Sequence, residues 1–146
     1  MNEQYDVVAS VLSSDPERSL QTARDLGIAR GYATAKDMIE TESSLAEGID
    51  VIAIMTPNNS HYEIACLALD HGLHVICEKP LTNHLPEALD LQRRVRESNL
   101  QFCVAYCYSA YPMIRQAKAM VDAGDLGDIR MVQCHYVQGH LAQLTD

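Results

Sequence analysis

The chain of 146 residues carries 20 acidic and 11 basic side chains, a formal net charge of −9, and 47% of its residues are hydrophobic. This acidic balance disfavours a surface for nucleic acid or anionic membranes, and no apolar stretch reaches the roughly 20 residues that span a bilayer. The first residues, MNEQYDVV, have neither the basic flank nor the apolar core of a signal peptide. We therefore expect a soluble, cytoplasmic protein with one hydrophobic core.

The first part of the sequence alternates strand and helix patterns. A valine-rich run at residues 7–12 predicts a buried strand. Asp15 is a favourable N-cap and Pro16 suits the first turn of a helix, which Gly27 ends. The next elements predicted are a short strand at residues 31–34, a helix at residues 36–45 and a strand at residues 51–55.

The same alternation continues to the end of the chain. Residues 56–61 form a polar turn into a helix at about residues 60–71, which Gly72 ends. The later elements predicted are a strand at residues 73–77, a helix from Thr82 or Asn83 to about residue 98, a strand at residues 101–105, a helix from Pro112 to Gly124, and a strand at residues 129–137 ended by Gly139. Strands that alternate with helices imply right-handed crossovers, so the predicted fold class is α/β with a doubly wound, Rossmann-like parallel sheet.

Apolar residues in the second half of the chain indicate which side chains are buried. The helix that begins near residue 83 has a stripe at helical spacing, formed by Leu85, Ala88, Leu89, Gln92 and Val95. The helix that begins at Pro112 has a face formed by Met113, Ile114, Ala117, Met120 and Val121. Most of the five cysteines lie in apolar runs, which predicts reduced core thiols: Cys66, Cys77, Cys103 and Cys134. Cys103 and Cys107 lack a second cysteine pair, so we expect no metal site.

A glycine-rich phosphate loop is absent from this sequence. A dinucleotide-binding domain begins with a strand, then G-x-G-x-x-G, then a helix whose N-terminus takes the pyrophosphate. Gly27 and Gly31 are too far apart for this motif, and Gly124 and Gly127 lie in a turn between a helix and a strand. The predicted Rossmann-like sheet is therefore incomplete.

The strand at residues 73–77 leads directly into Glu78, Lys79 and Pro80. Ligands of open α/β sheets bind beyond the carboxyl ends of the strands. A lysine at that place can aim an ammonium, or an amine of lowered pKa, at a reacting oxygen. The alternative is an ordinary exposed Glu–Lys pair, which spacing alone favours.

The segments VIAIMTPNNSHYEIACLALDHG and GLHVICEKPLT resemble the Gfo/Idh/MocA oxidoreductases, the relatives of glucose–fructose oxidoreductase and inositol dehydrogenase. The resemblance covers residues 5–139. It implies an NAD(P)-dependent oxidoreductase that acts on CH–OH groups of a sugar, cyclitol or related polyol, with a homo-oligomeric parent enzyme. It also implies a fragment in which residues 1–124 are a partial NAD(P)-binding domain without its first strand and glycine loop. Residues 125–146 would then begin a C-terminal α+β domain for substrate binding and dimerisation, with residues 129–137 as its first strand.

The resemblance also predicts where the sheet is interrupted. In the strand order 3-2-1-4 the absent strand is central, between the strands at residues 7–12 and 51–55. We expect these two strands to leave unpaired edges that face a gap.

The resemblance assigns roles to the strand-end residues. Lys79 is the implied catalytic residue, which contacts the reacting hydroxyl or carbonyl. Glu78 would hold the cofactor end of the site, and Pro80 would fix the backbone so that Lys79 points inward. Four residues match the motif beside the nicotinamide ribose: Thr56, Pro57, Asn58 and His61. The alternatives are helix capping for Asn58 and a solvated ring for His61. Tyr106 follows the strand at residues 101–105 and is a further cofactor contact, although Cys107 and Ser109 depart from the family pattern.

The segment after the first strand bears on the choice between NAD and NADP. Ser13, Ser14 and Arg18 lie where an acidic residue binds the ribose hydroxyls in NAD enzymes, and this set favours a 2′-phosphate and hence NADP. The alternative is that Asp15 caps the helix and Arg18 is solvated.

Two further readings of the chain stay open. One is a non-catalytic relative in which the dinucleotide-like fold serves binding, although the presence of Lys79 favours an enzyme. The other is an inactive truncated product, which the absent glycine loop favours for the isolated chain. We expect no turnover from these 146 residues alone.

Overall fold

The computed structural model describes residues 5–137, and each predicted helix lies close to its expected place. The strands are β1 (Ala9–Ser10), β2 (Arg30–Gly31), β3 (Val51–Ile54), β4 (His74–Cys77) and β5 (Phe102–Val104). The α-helices are α1 (Pro16–Asp25), α2 (Ala35–Glu42), α3 (His61–Asp70), α4 (Leu85–Glu97) and α5 (Pro112–Asp122), with 3₁₀ turns at Asn58–Ser60 and Cys107–Ala110. Across this described stretch, none of the helices has both the length and the hydrophobicity needed to traverse a bilayer.

The strands form two separate parallel sheets. β1 pairs with β2, and β3, β4 and β5 pair in that order. β1 and β3 are not hydrogen-bonded to each other, so the predicted interruption of the sheet between them is confirmed. All the pairings are parallel, and helices connect consecutive strands, which is the Rossmann-like arrangement that the sequence predicts.

The core lies between the three-stranded sheet and helices α2, α3 and α4. Side chains alternate along the strands, so Ile52 and Ile54 of β3 and Val75 and Cys77 of β4 point into this core. The helices supply the other buried residues: Met38, Ile39, Ala65, Ala68, Leu69 and Leu91. On the opposite face of the sheet Ala53 and Cys103 are exposed. The core therefore fixes β3 and β4 firmly from one side.

Two of the sequence expectations about side-chain burial are wrong. In α4 the buried leucine is Leu91, which is 2% exposed, whereas Leu85 and Leu89 of the predicted stripe are 70% and 54% exposed. Positions 88, 91 and 95 also fit a helical repeat, and packing of α4 against α3 selects this phase. Cys103 and Cys134 are exposed rather than part of the core, while Cys77 is buried and Cys66 is half-buried.

The chain consists of two compact units, Met1–Tyr106 and Cys107–Asp146. The domain boundary that the sequence places between residues 124 and 125 remains a prediction. In the second unit Tyr108 makes edge-to-face contacts with Tyr111 and Tyr136, and its hydroxyl lies 3.2 Å from the Tyr136 hydroxyl.

The strand predicted at residues 129–137 is absent from the described part of the second unit. These residues are exposed, and no described strand is available there to complete a ladder of backbone hydrogen bonds. Gly139, which was expected to end that strand, lies outside the described residues. The apolar face predicted for α5 is likewise not buried, since Met113 is 76% exposed.

Candidate functional site

The turns that follow β3 and β4 leave the sheet side by side. The two strands are parallel, and their last residues, Ile54 and Cys77, are paired directly. The amide of Glu78 continues the pairing by donating to the carbonyl oxygen of Ile54 at 2.9 Å. The groups that follow each strand therefore meet at the carboxyl edge of the sheet, where open α/β folds bind ligands.

The turn after β4 presents a cation to solvent. Lys79 and Pro80 are exposed, Glu78 is half-buried, and the Lys79–Pro80 peptide bond is cis. Glu78 accepts a hydrogen bond from the amide of Lys79 through Oε2 at 3.0 Å. Among the described residues the Lys79 ammonium has no ion-pair partner. It is therefore available to a ligand.

The turn after β3 presents a hydroxyl and an amide. Thr56, Pro57 and Asn58 are exposed. The Ser60 Oγ lies 2.7 Å from the Thr56 Oγ1 and 2.8 Å from the Pro57 carbonyl oxygen, which fixes the shape of the turn. Among the described residues, Pro57 and Ser60 are the N-cap positions of the 3₁₀ turn and of α3, and neither element has a side-chain capping hydrogen bond. The capping alternative for Asn58 is therefore not realised, and its amide is open to a ligand.

His61 connects these two turns from inside the protein. Its side chain is fully buried. Nδ1 lies 2.9 Å from the carbonyl oxygen of Pro80, and Nε2 lies 2.8 Å from the carbonyl oxygen of Thr56. The alternative of a solvated histidine is therefore wrong, because both ring nitrogens face main-chain oxygens.

Cys77, the last residue of β4, directly precedes Glu78 but does not offer a nucleophile. It is completely buried, and this burial raises the pKa of the thiol to about 11. The thiolate is the reactive form of cysteine. Cys77 therefore offers no reactive thiolate at this edge of the sheet.

Tyr106 follows β5, the third strand of the same sheet. Its side chain is 60% exposed, and its amide donates to the carbonyl oxygen of Val104 at 2.8 Å. The predicted residues after β3, β4 and β5 are therefore all at the carboxyl edge of one sheet.

The residues predicted to choose between NAD and NADP lie at the carboxyl end of β1. Asp15 caps α1 by accepting the Arg18 amide at 2.8 Å, and the Ser13 hydroxyl accepts the Asp15 amide at 3.1 Å. Helix capping by Asp15 is thus confirmed. Ser14 and the Arg18 side chain remain exposed, so capping does not remove them from a ligand site.

A model of the oxidoreductase family with an NAD-binding Rossmann fold, GFO_IDH_MocA, matches residues 1–106. The chain belongs to the Gfo/Idh/MocA family. The match covers all the strands described above and ends with Tyr106, the last residue of the first compact unit. The Rossmann-like fold and the family predicted from the sequence are therefore confirmed.

Individual members of the family share most of this chain. The uncharacterized oxidoreductase YfiI of Bacillus subtilis is 35% identical over 143 residues, which cover 97% of this chain and 36% of the relative. Levoglucosan dehydrogenase of Pseudarthrobacter phenanthrenivorans is 30% identical over 128 residues, which cover 88% and 32%. A solved inositol dehydrogenase homolog of Azotobacter vinelandii, complexed with NADH and myo-inositol, has a TM-score of 0.81 at 35% identity, over 86% of this chain and 34% of that chain. The chain thus spans about a third of the length of the curated relatives it matches.

Two features of this candidate site were not predicted from the sequence. Ser60, which holds the Thr56 turn, was not singled out, although a serine just before a helix is a recognisable N-cap signal. The burial of His61 had no local signal, because its contact with Pro80 joins residues far apart in the sequence. In the described residues no cluster of three or more histidine, cysteine or acidic side chains could hold a metal ion.

Proposed function

We propose that the whole protein is an NAD(P)-dependent oxidoreductase that acts on a CH–OH group of a sugar, cyclitol or related polyol. The observation that carries this proposal is the side-by-side placement of the Lys79 turn and the Thr56–Asn58 turn at the carboxyl edge of the sheet. The family membership supports the cofactor class. The names of relatives that act on levoglucosan or bind myo-inositol support the substrate class.

The groups of the two turns fit the nicotinamide end of such a cofactor. The Thr56 hydroxyl and the Asn58 amide can hydrogen-bond to ribose and carboxamide groups, and neither residue is buried. A bound nicotinamide supplies the acceptor for the hydride that leaves the carbinol carbon. No G-x-G-x-x-G occurs in these 146 residues, so the described groups account only for part of the dinucleotide.

Lys79 supports the chemical step through its charge. As the carbinol carbon loses hydride, the hydroxyl oxygen must lose its proton, and negative charge develops on it. A neutral Lys79 amine would take this proton and become an ammonium, whereas a Lys79 that is already an ammonium would stabilise the negative charge on the oxygen while solvent takes the proton. Glu78 and Pro80 belong to the same turn and hold the backbone from which the lysine projects.

We propose that NADP is preferred over NAD. The acidic residue that follows β1, Asp15, caps α1 and is therefore not free to bind the ribose hydroxyls. Ser14 and Arg18, at the same end of β1, are exposed. An arginine and serine hydroxyls are suited to a 2′-phosphate. Tyr106 completes the proposed cofactor contacts at the end of β5.

We also propose the organisation that the resemblance implies. Residues 1–124 would belong to the cofactor-binding domain, residues 125–146 would begin the substrate and dimerisation domain, and the whole enzyme would be a homo-oligomer. The five cysteines of this chain are all free, which supports a proposed location in a reducing compartment such as the cytoplasm.

The test is the Lys79→Ala variant of the whole protein, assayed for reduction of NAD⁺ and NADP⁺ with a panel of polyols that includes myo-inositol. We expect kcat to fall by about 10²–10⁴, while Lys36→Ala serves as a control. Lys36 is an exposed lysine on α2 whose partner is Glu40. Unchanged turnover in Lys79→Ala would contradict the assigned role. Cofactor binding without turnover of any polyol would favour a non-catalytic relative.

A further inference from the structure

The two strand-end turns are joined by a single side chain. His61 begins α3, between the turns in sequence, and its fully buried ring spans the space between them. One ring nitrogen lies 2.9 Å from the Pro80 carbonyl oxygen and the other lies 2.8 Å from the Thr56 carbonyl oxygen. We propose that His61 is a positioning residue that fixes the Lys79 turn relative to the Thr56 turn. Its consequence for cofactor binding rests on the proposed function above.

On the β4 side, His61 acts next to the lysine. Before Lys79, the Glu78 amide is tied to β3 by its bond to the Ile54 carbonyl oxygen at 2.9 Å. After Lys79, the Pro80 carbonyl oxygen is held by the His61 ring. The backbone is therefore anchored on both sides of Lys79, although the Lys79 side chain itself is free to reach a ligand.

On the β3 side, His61 acts on the residue that offers a hydroxyl. The Thr56 carbonyl oxygen contacts His61 Nε2, and the Thr56 hydroxyl contacts the Ser60 hydroxyl. Ser60 contacts only the Thr56 turn, whereas His61 contacts both turns. A ring nitrogen lies on each side of the imidazole, and both neighbours are carbonyl oxygens, which only accept hydrogen bonds. The neutral ring donates to one of them and holds the other by contact, whereas the doubly protonated ring donates to both. This geometry gives His61 a role that space filling does not require.

Conservative variants can separate the two contacts. The amide nitrogen of asparagine is attached to Cγ, as Nδ1 of histidine is, so His61→Asn can keep a donor toward Pro80. The amide nitrogen of glutamine lies one bond further out, near the place of Nε2, so His61→Gln can keep a donor toward Thr56. His61→Phe keeps the ring and removes both contacts. His71→Gln is a matched control, because His71 lies at the other end of α3 and its Nδ1 contacts the Leu67 carbonyl oxygen.

The experiment records backbone amide resonances of the ¹⁵N-labelled chain for each variant. We expect His61→Gln to shift the Glu78 and Lys79 signals and to leave Thr56 in place, and His61→Asn to do the reverse. His61→Phe should shift both sets and His71→Gln neither. Equal disturbance of both turns by each of the Asn and Gln variants, or disturbance of the same single turn by both of them, would overturn the proposal. If His61→Phe does not fold, the Asn and Gln variants still decide.

A second readout is NADH affinity, measured by nicotinamide fluorescence. The expected result is a dissociation constant that rises about tenfold in His61→Phe, equivalent to about 1.4 kcal/mol, and that does not change in His71→Gln. Unchanged affinity in His61→Phe would overturn the functional consequence. If the unsubstituted chain binds no NADH, the functional consequence of His61 fails for this chain, whereas the amide shifts still test the positioning role and the assay of the whole protein tests the proposed function separately.

Discussion

Glu42 shows how one residue joins two elements of the fold. Its side chain is completely buried, yet its charge is matched by the Arg30 guanidinium, whose Nε and Nη2 donate to the two carboxylate oxygens at 2.6 and 2.7 Å. The Tyr32 hydroxyl donates to the same carboxylate at 2.6 Å. These bonds, led by the one from Arg30, lower the pKa of Glu42. The network holds α2 against the segment that contains β2.

We predict that Glu42→Gln lowers the free energy of unfolding by about 2 kcal/mol, because it weakens the charge-assisted hydrogen bonds to Arg30, whose side chain is 33% exposed. Tyr32→Phe removes one hydrogen bond and should cost about 1 kcal/mol. The measurement is urea unfolding at neutral pH. A Glu42→Gln variant as stable as the unsubstituted chain would show that the network contributes nothing.

We predict that the effect of Glu42→Gln on the free energy of unfolding depends on pH. The pKa of Glu42 in the folded chain lies below its usual value of 4.5. The carboxylate therefore stabilises the fold fully above that value and loses its contribution as the pH falls toward the folded-state pKa. The difference in unfolding free energy between the unsubstituted chain and Glu42→Gln should narrow in acid. If the difference in unfolding free energy between the two proteins stayed constant from neutral pH to well below pH 4.5, the lowered pKa of Glu42 would be contradicted.

The sequence predicted which polar residues follow the strands at the proposed site, but not the surroundings of each side chain. Asn58 and His61 were both expected beside the cofactor, and local spacing could not distinguish an exposed amide from a buried ring. The difference arises from tertiary contacts, since His61 meets Pro80 only because β3 and β4 are paired in register. The exposed Asn58 remains a proposed ligand contact, while the buried His61 is proposed as a positioning residue.

At the scale of elements, α4 illustrates the limit of helical periodicity. Apolar residues occur on more than one side of this helix, so more than one stripe of them fits the helical repeat. The stripe containing Leu89 was predicted, whereas packing against α3 buries Leu91. The helix itself was predictable, because its length and its first turn, with Pro86 and Glu87, are local features. Its rotation was not, because that depends on a neighbour.

We predict that Leu91→Ala lowers the free energy of unfolding by about 3 kcal/mol, through lost apolar burial and the cavity left behind. Leu89→Ala, two residues earlier on the same helix, should change it by less than about 0.5 kcal/mol. Chemical denaturation of both variants measures the difference. Equal effects at the two positions would mean that α4 is rotated from its described orientation.

At the scale of the whole molecule, the interrupted sheet and the carboxyl-edge site follow from one topology. Alternating strands and helices predicted a parallel sheet, and the Rossmann strand order predicted the break between β1 and β3. The strand expected at residues 129–137 could not be judged in the same way, because a strand forms only with a partner. The chain covers about a third of the length of its curated relatives. The substrate therefore remains a matter of proposal.

The measurement that tests the central claim most directly is a titration of the ¹⁵N-labelled chain with NADH and with NADPH, followed by backbone amide signals. The claim is that the turns after β3 and β4 form the nicotinamide side of the site. We predict saturable shifts at Thr56, Asn58, Glu78 and Lys79. A cavity of about 240 Å³ at the opposite, amino ends of these strands, whose lining includes Gly48 and His74, serves as the internal reference and should not respond.

The two cofactors also report on the end of β1. Shifts at Ser14 and Arg18 should be larger with NADPH than with NADH, because only NADPH carries the 2′-phosphate. Saturable shifts at the two strand-end turns would support the assigned site for either cofactor. Shifts confined to the amino-end cavity, or no response at either turn, would contradict it.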